Sequence, residues 1–472
     1  MEMVQQKKIP VITPLIKFFK NFHKRFKEGS LGTKLSHFIM GAGNFYHKQY
    51  VKGAMYLLIQ AAFVWFMIAG PEVNSTPLGF SALGNLFTLG EIHEEWPDGA
   101  FFPDIIVDYS ALMLLFGVIT IGLICVYLFA WTSSIKSSYK ADLDILDEKK
   151  PTTFIEDCKS LLDDRFHVLM LTPTCLAALI FTILPTIFMI LIAFTDFDKT
   201  HPMGTTVFDW VQFKNFVDVF QGQGEIADRF LPVLGWTVIW AIVATFTNYF
   251  GGILLALLIN KKEVKFKKLW RTVFILTIAL PQFISLLAVA KILSPEGPFN
   301  GMLIKLGILE EGMEFLGNAK NINTARIMVL VVNLWVGVPY TMLQTSGILM
   351  NIPTDLYEAA TIDGANKNQM FWNITLPYII FVTTPYLISS FVGNINSFNI
   401  IFLLTNGGPS LGDGSTAGGT DLLVTWLYKL TVESGNYNLG AVIGIFTFMI
   451  TSTITLVTYR RSKAYNEEDT FQ

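Results

Sequence analysis

Eight stretches of this sequence are long and apolar enough to cross a lipid bilayer, and no other feature constrains the chain as strongly. A spanning helix needs about 20 mostly apolar residues, because lipid offers no hydrogen-bond partners to an open backbone. The stretches lie at about 53–70, 109–131, 167–194, 231–259, 272–294, 326–349, 378–404 and 438–459. The first is the shortest, and its flank at 35–52 reads as an interfacial helix. Composition agrees. Of 472 residues, 52% are hydrophobic, 15% are charged and 40 are Phe, which is more apolar surface than a soluble fold can bury. The predicted fold class is an all-α integral membrane protein with eight transmembrane helices.

Loop charge sets the orientation. Residues 71–108 contain no Lys or Arg but carry Glu72, Glu91, Glu94, Glu95, Asp98, Asp104 and Asp108, so this loop belongs outside. The loop after the fourth span carries Lys261, Lys262, Lys265, Lys267, Lys268 and Arg271, and the tail after the eighth begins with Arg460, Arg461 and Lys463. Both belong inside, which places both termini of a multi-pass membrane protein in the cytoplasm. The first fifty residues are basic and lack the apolar core of a leader, so no cleavable signal peptide is expected. Leu15, Phe18, Phe19, Phe22 and Phe26 fall at helical spacing among Lys17, Lys20, Lys24, Arg25 and Lys27. Such a helix is expected to lie on anionic membrane lipid with its aromatic face down. The net charge of -3 gives no reason to expect a nucleic-acid partner. Cys125, Cys158 and Cys175 are spaced neither for a structural disulfide nor for zinc.

Inside the spans, the irregular residues carry the information. Pro173, Pro185, Pro281, Pro339 and Pro385 each remove a backbone donor, and together they favour a bundle that encloses a cavity or moves. Asn333 and Gln344 lie in the sixth span. Ser389, Ser390, Asn394, Asn396, Ser397 and Asn399 crowd the seventh, and the four polar residues from Asn394 to Asn399 exceed what interhelical hydrogen bonding requires. Uncharged amides and hydroxyls suit a passage for a polar, neutral solute such as a sugar. Span interiors lack the Asp, Glu or His relay of an ion-coupled transporter. No Gly-x4-Gly-Lys-Ser/Thr loop occurs, so the chain is not its own P-loop ATPase.

The loop between the sixth and seventh spans decides the reading. It runs Asp355-Leu356-Tyr357-Glu358-Ala359-Ala360-Thr361-Ile362-Asp363-Gly364-Ala365 and on to Ile374-Thr375-Leu376-Pro377. Pro353 helps start a helix, the alanines permit close approach to a partner, and Gly364 lets the chain turn sharply. The whole resembles the signature loop of binding-protein-dependent ABC importer permeases. Leu403–Pro409, Thr420–Val424 and Asn333–Tyr340 resemble the larger permease subunit of maltose/maltodextrin importers. The short outside segment at about 195–230 looks like the Gram-positive type.

The resemblance implies a type I ABC importer permease fold and a set of partners. These are a second, homologous permease, two ATPase subunits and an extracellular sugar-binding protein. ATP and Mg would bind the ATPase subunits, and this chain would bind no cofactor and catalyse no reaction. Glu358, Ala359, Ala360, Asp363, Gly364, Leu376 and Pro377 would form the part that docks on the ATPase. Sugar contacts would carry over to Gly337, where the absent side chain leaves room for a pyranose ring, and to Tyr340, Ser390 and Asn394. The pattern departs at Gly393, Ser397 and Asn399, and the loss of an aromatic residue at Gly393 leaves the sugar open. Malto-oligosaccharide is the expected substrate, with galacto-oligosaccharide or another plant-derived oligosaccharide as the alternative. A membrane enzyme acting on glycolipid would need a carboxylate or His cluster at a membrane face. Glu91, His93, Glu94 and Glu95 are the nearest to one, and read as a solvated outside loop.

The expected division is a basic N-terminal segment at 1–52, two additional spans at 53–166, a six-span core at 167–461 with its coupling loop at 353–377, and a tail at 462–472.

Overall fold

The computed structural model describes residues 12–73, 76–90, 92–95, 104–107, 109–201, 207–221, 225–261, 263–317, 321–412 and 415–461. Glu91, Asp98, Asp108, Lys262, Lys463 and the tail lie outside these residues. Among the described residues seven helical stretches are long and apolar enough to span a membrane, or eight if one sharply bent helix pair counts as a span. The chain divides into two compact units, residues 1–191 with 200–210, and residues 192–199 with 211–472. The third span is thus grouped with the N-terminal unit and not with the residues that follow it.

The first unit holds α1 (Ile12–Glu28), α2 (Leu31–Leu35), α3 (Ala42–Tyr46), α4 (Tyr50–Ala69), α5 (Phe80–Asn85), α6 (Ser110–Leu146), α7 (Phe154–Leu162), α8 (Phe166–Ala178) and α9 (Leu184–Ile192). Two short hairpins, β1 (Glu72–Val73) with β2 (Thr76–Pro77) and β3 (Ile92–Glu95) with β4 (Asp104–Val107), pair antiparallel. Residues 35–52 do not form one interfacial helix. Gly41 turns the chain at φ +82°, where a Cβ would meet the Gly53 carbonyl at 2.3 Å. Helices α2 and α3 then fasten to a polar stripe on α6 at i, i+4, i+8 spacing. Ser134 Oγ accepts from the Gly41 N–H at 2.9 Å, Ser138 Oγ meets Thr33 Oγ1 at 2.6 Å, and Asp142 accepts from Thr33 Oγ1 at 2.6 Å and from the Ser30 N–H at 3.0 Å. His47 Nε2 lies 2.6 Å from the other Asp142 oxygen.

The aromatic face of α1 is divided. Phe22 packs 4.9 Å from His37 and 5.4 Å from Trp131, ring centre to ring centre, and Phe26 lies 5.1 Å from His37. Ile16, Phe18 and Phe19 remain exposed. Two of the five residues expected to face lipid, Phe22 and the still 41% exposed Phe26, therefore pack against the protein, because His37 and Trp131 offer a ring-lined surface.

The second unit holds α10 (Lys214–Gln221), α11 (Glu225–Asn260), α12 (Lys267–Ala279), α13 (Gln282–Ile292), α14 (Pro298–Lys305), α15 (Ile322–Asn351), α16 (Thr354–Ile362), α17 (Lys367–Met370), α18 (Leu376–Ile395), α19 (Phe398–Thr405), α20 (Leu423–Tyr428) and α21 (Tyr437–Arg461). Its centre is the parallel pair α11 and α15, which approach closely through small residues. A Cβ on Gly252 would meet Thr341 Cβ at 2.4 Å, and one on Gly251 would meet Val338 at 3.0 Å. Around this seam Trp236, Trp240, Leu286, Val329, Ile401 and Leu422 form a buried core.

Two π-helical turns have one cause. Leu179–Ile183 and Phe371–Thr375 each run directly into a Leu–Pro pair, Leu184–Pro185 and Leu376–Pro377. Proline has no N–H to give and its ring crowds the carbonyl four residues back, so the preceding turn widens. The fifth predicted span, 272–294, is the bent pair. Helices α12 and α13 meet at 94° across Leu280–Pro281, with Leu280 extended at ψ 136°.

Candidate substrate passage and coupling helix

The break at Pro281 opens a cavity of roughly 390 Å³ beside α15. Thr277, Gln282, Ser285, Trp335, Val336 and Tyr340 line it, and none of its lining side chains is charged. Half a helix ends here and another begins, so backbone groups that lipid would not tolerate face a cavity instead. Tyr340 reaches it with an exposed ring, which stacks 6.1 Å from Tyr386 at 28°. The Tyr386 hydroxyl in turn meets Thr341 Oγ1 at 3.1 Å. Tyr340 is thus held from α18, and Tyr386, Ser390 and Asn394 follow one another at i, i+4, i+8 on that helix.

The predicted contacts divide under this geometry. Tyr340 lines the cavity. Ser390 is half-buried, and Gly393 is exposed, with nothing within 4 Å of where its Cβ would sit. The reason given for Gly337 needs correction. A Cβ there would lie 2.2 Å from Asn248 Nδ2, so Gly337 makes room for α11 and not for a sugar ring. Asn394 is also turned to α11, its Nδ2 donating to Thr245 Oγ1 at 2.8 Å. Its carbonyl accepts from the Trp240 indole N–H at 3.1 Å, which satisfies a backbone group close to the break between α18 and α19. Ser397 sits in that break and is half-buried, and Asn399 is exposed in the first turn of α19.

Sequence reasoning missed Thr277, Gln282, Ser285 and Tyr386. The available signal was a proline followed by a glutamine inside an otherwise apolar stretch, and a tyrosine one turn ahead of Ser390.

At the other end of α15 the chain turns at Pro353 into α16. Glu358, Ala359, Thr361, Ile362 and Asp363 are all exposed. Gly364 adopts φ +76°, a conformation side chains other than Gly rarely take, and a Cβ there would meet nothing within 4 Å. Asn366 and Gln369 form a reciprocal cap at the start of α17 (2.8 and 2.9 Å). Leu376 and Pro377 then open α18. Glu358, Ala359 and Ile362, which is 87% exposed, make a small, uncovered helix face that no other part of this chain occupies among the described residues.

Known proteins resemble this chain over most of its length. Residues 248–463 match the family described as the binding-protein-dependent transport system inner membrane component. A galactooligosaccharides transport system permease protein of Bacillus subtilis is 33% identical over 91% of this chain and 97% of its own length. A maltodextrin transport system permease protein of Streptococcus pneumoniae is 32% identical over 91% of this chain and 95% of its own. Among solved structures, a bacterial ABC transporter involved in the import of the acidic polysaccharide alginate matches with a TM-score of 0.53 at 26% identity, covering 65% of this chain and 97% of that one. The chain therefore belongs to the binding-protein-dependent transport system inner membrane components, as a multi-pass permease subunit of an ABC importer in the cytoplasmic membrane and not an enzyme.

Proposed function

We propose that this chain conducts neutral oligosaccharide, malto-oligosaccharide first, through an ATP-driven importer. It acts with a second homologous permease, two ATPase subunits that carry ATP and Mg, and an extracellular sugar-binding protein, and holds no cofactor itself. Both termini are cytoplasmic, residues 167–461 serve as the translocating core, and 53–166 add two spans to it. The observation that carries the reading is the uncharged, aromatic and amide-lined cavity at the Pro281 break. Amides and hydroxyls exchange hydrogen bonds with sugar hydroxyls, and tyrosine covers the apolar face of a pyranose. An acidic polysaccharide would call for cationic lining, and none is present there. The exposed helix α8–α9, almost none of which is buried within the chain, supports a second subunit or lipid as its cover.

Transport follows a population shift. ATP draws the ATPase subunits together, the docked α16 helices move with them, and the outward-facing state gains occupancy. Hydrolysis returns the passage inward.

Uptake of labelled maltotriose and of a galactose-based trisaccharide, in cells with and without this chain, tests the substrate. Loss of maltotriose uptake with the chain is the expected result. Loss of the galactose-based sugar alone would support the second reading, favoured by the open space at Gly393 and by the Bacillus subtilis relative. Loss of neither would overturn the oligosaccharide assignment.

Tyr340→Ala should raise the half-saturating sugar concentration about tenfold, the equivalent of about 1.4 kcal/mol, with membrane abundance unchanged. An unaltered half-saturation would remove Tyr340 from the passage.

A further inference from the structure

Helix α16 continues from α15 through Ile352–Pro353 and is joined to α18 in two ways. One is covalent and passes through the turn at Asp363–Gly364, where Gly364 has φ +76° and no neighbour within 4 Å of a Cβ position. The other is a hydrogen bond. The Tyr357 hydroxyl meets Thr375 Oγ1 at 2.8 Å. Among the described residues this is the one hydrogen bond that leaves α16 for another element by a side chain. Tyr357 is half-buried, Thr375 is 7% exposed, and the residues on the other faces of α16 are open.

Thr375 ends the π-turn that precedes Pro377, so it stands at the root of α18. That helix has 20 residues and spans about 30 Å, with Ser390, Gly393 and Asn394 near its far end. The glycine turn is closed only by local backbone hydrogen bonds, Gly364 N–H to the Thr361 carbonyl at 3.1 Å and Ala365 N–H to the Ala360 carbonyl at 2.9 Å. The hydroxyl pair spans the same gap directly and fastens the docking helix to a long, stiff element.

We propose that Tyr357 is the positioning residue that passes movement of α16 to α18, through its hydroxyl on Thr375. This rests on the importer reading above. When α16 is displaced by its ATPase partner, the Tyr357–Thr375 pair makes the base of α18 follow, and the substrate-facing end of that helix moves with it. Without the pair, the displacement is absorbed at Gly364, and nucleotide is hydrolysed without a matching movement of the passage.

The test uses the intact importer, purified through a tag on this chain and reconstituted in liposomes, with maltotriose as the probe. Tyr357→Phe keeps the ring and removes the hydroxyl, and Thr375→Val keeps the shape and removes the partner. Each should lower the sugar carried per ATP hydrolysed about two- to tenfold, as expected for one neutral hydrogen bond. The ATPase should co-purify in normal amount and hydrolyse at a normal or raised rate. The double variant should lose no more than either single one, since both remove the same bond, and Thr375→Ser should restore the ratio. An unchanged ratio in Tyr357→Phe, losses that multiply in the double variant, or loss of the ATPase on purification would each overturn the coupling role. Unmodified complex that shows no ATP-driven uptake of any sugar would instead overturn the importer reading, and this inference with it.

Discussion

A Gly364→Val variant is expected to reach the membrane in normal amount and to lose uptake about a hundredfold, because a β-branched residue at φ +76° is a strong outlier. The cost does not come from crowding within the chain, since nothing lies within 4 Å of the new Cβ. It comes from the turn, which must reopen and swing Glu358 and Ile362 away from the surface they present. Gly364→Asn separates strain from space, because asparagine tolerates the left-handed region far better than valine. Substantial uptake by the Asn variant would assign the loss to backbone strain. Equal failure of both would mean that a partner approaches the turn so closely that no side chain fits. Normal uptake by the Val variant would remove Gly364 from coupling altogether.

The sequence made the spans legible because a bilayer imposes a length and an apolarity that few other structures need. It made helix α16 legible because its exposed surface is a pattern of letters at fixed spacing. What it could not show was direction. Hydropathy across 272–294 is continuous, and only three-dimensional packing turns α13 by 94° at Pro281 and so exposes Gln282 and Ser285 to a cavity. Gly337 illustrates the same limit. A missing side chain can make room for a ligand or for a neighbouring helix, and the sequence does not distinguish them. Here the neighbour is Asn248 on α11, more than 80 positions earlier in the chain. The N-terminal aromatic stripe was read correctly as a stripe, but its partners His37 and Trp131 lie on other elements, so its division between protein and surroundings was invisible.

The least legible feature predicts the other large effect. Asp421 lies in the segment between α19 and α20, fully enclosed, and no spacing rule connects it to Lys429. In the structure Lys429 Nζ donates to Asp421 Oδ2 at 2.8 Å, the Gly418 N–H to the same oxygen at 2.7 Å, and Thr425 Oγ1 to Oδ1 at 2.8 Å. Gly407 closes the cage, since a Cβ there would stand 1.8 Å from the carboxylate. Through Thr420 and Gly419 the same segment is tied to the Trp236 indole at 3.2 Å and to Arg326 Nε at 2.8 Å. Lys429→Met should leave Asp421 buried without its cation and cost about 3–5 kcal/mol, visible as a lower melting temperature of the detergent-purified protein. The pH dependence has a definite sign. Burial pushes the Asp421 carboxyl above its ordinary value, and Lys429 pulls it back down. Removing Lys429 releases that opposing pull, so the folded state prefers the protonated acid more strongly than the unfolded chain does. A carboxyl raised in this way contributes most at low pH and loses its contribution as pH rises through its folded value. The deficit of Lys429→Met should therefore shrink on going from about pH 8 to about pH 5. The Asp421→Asn/Lys429→Met pair, with no charge left to strand, should melt above Lys429→Met at the higher pH. A Lys429→Met protein that melts like the unmodified chain at both pH values would show that the cage is held by Gly418 and Thr425 alone.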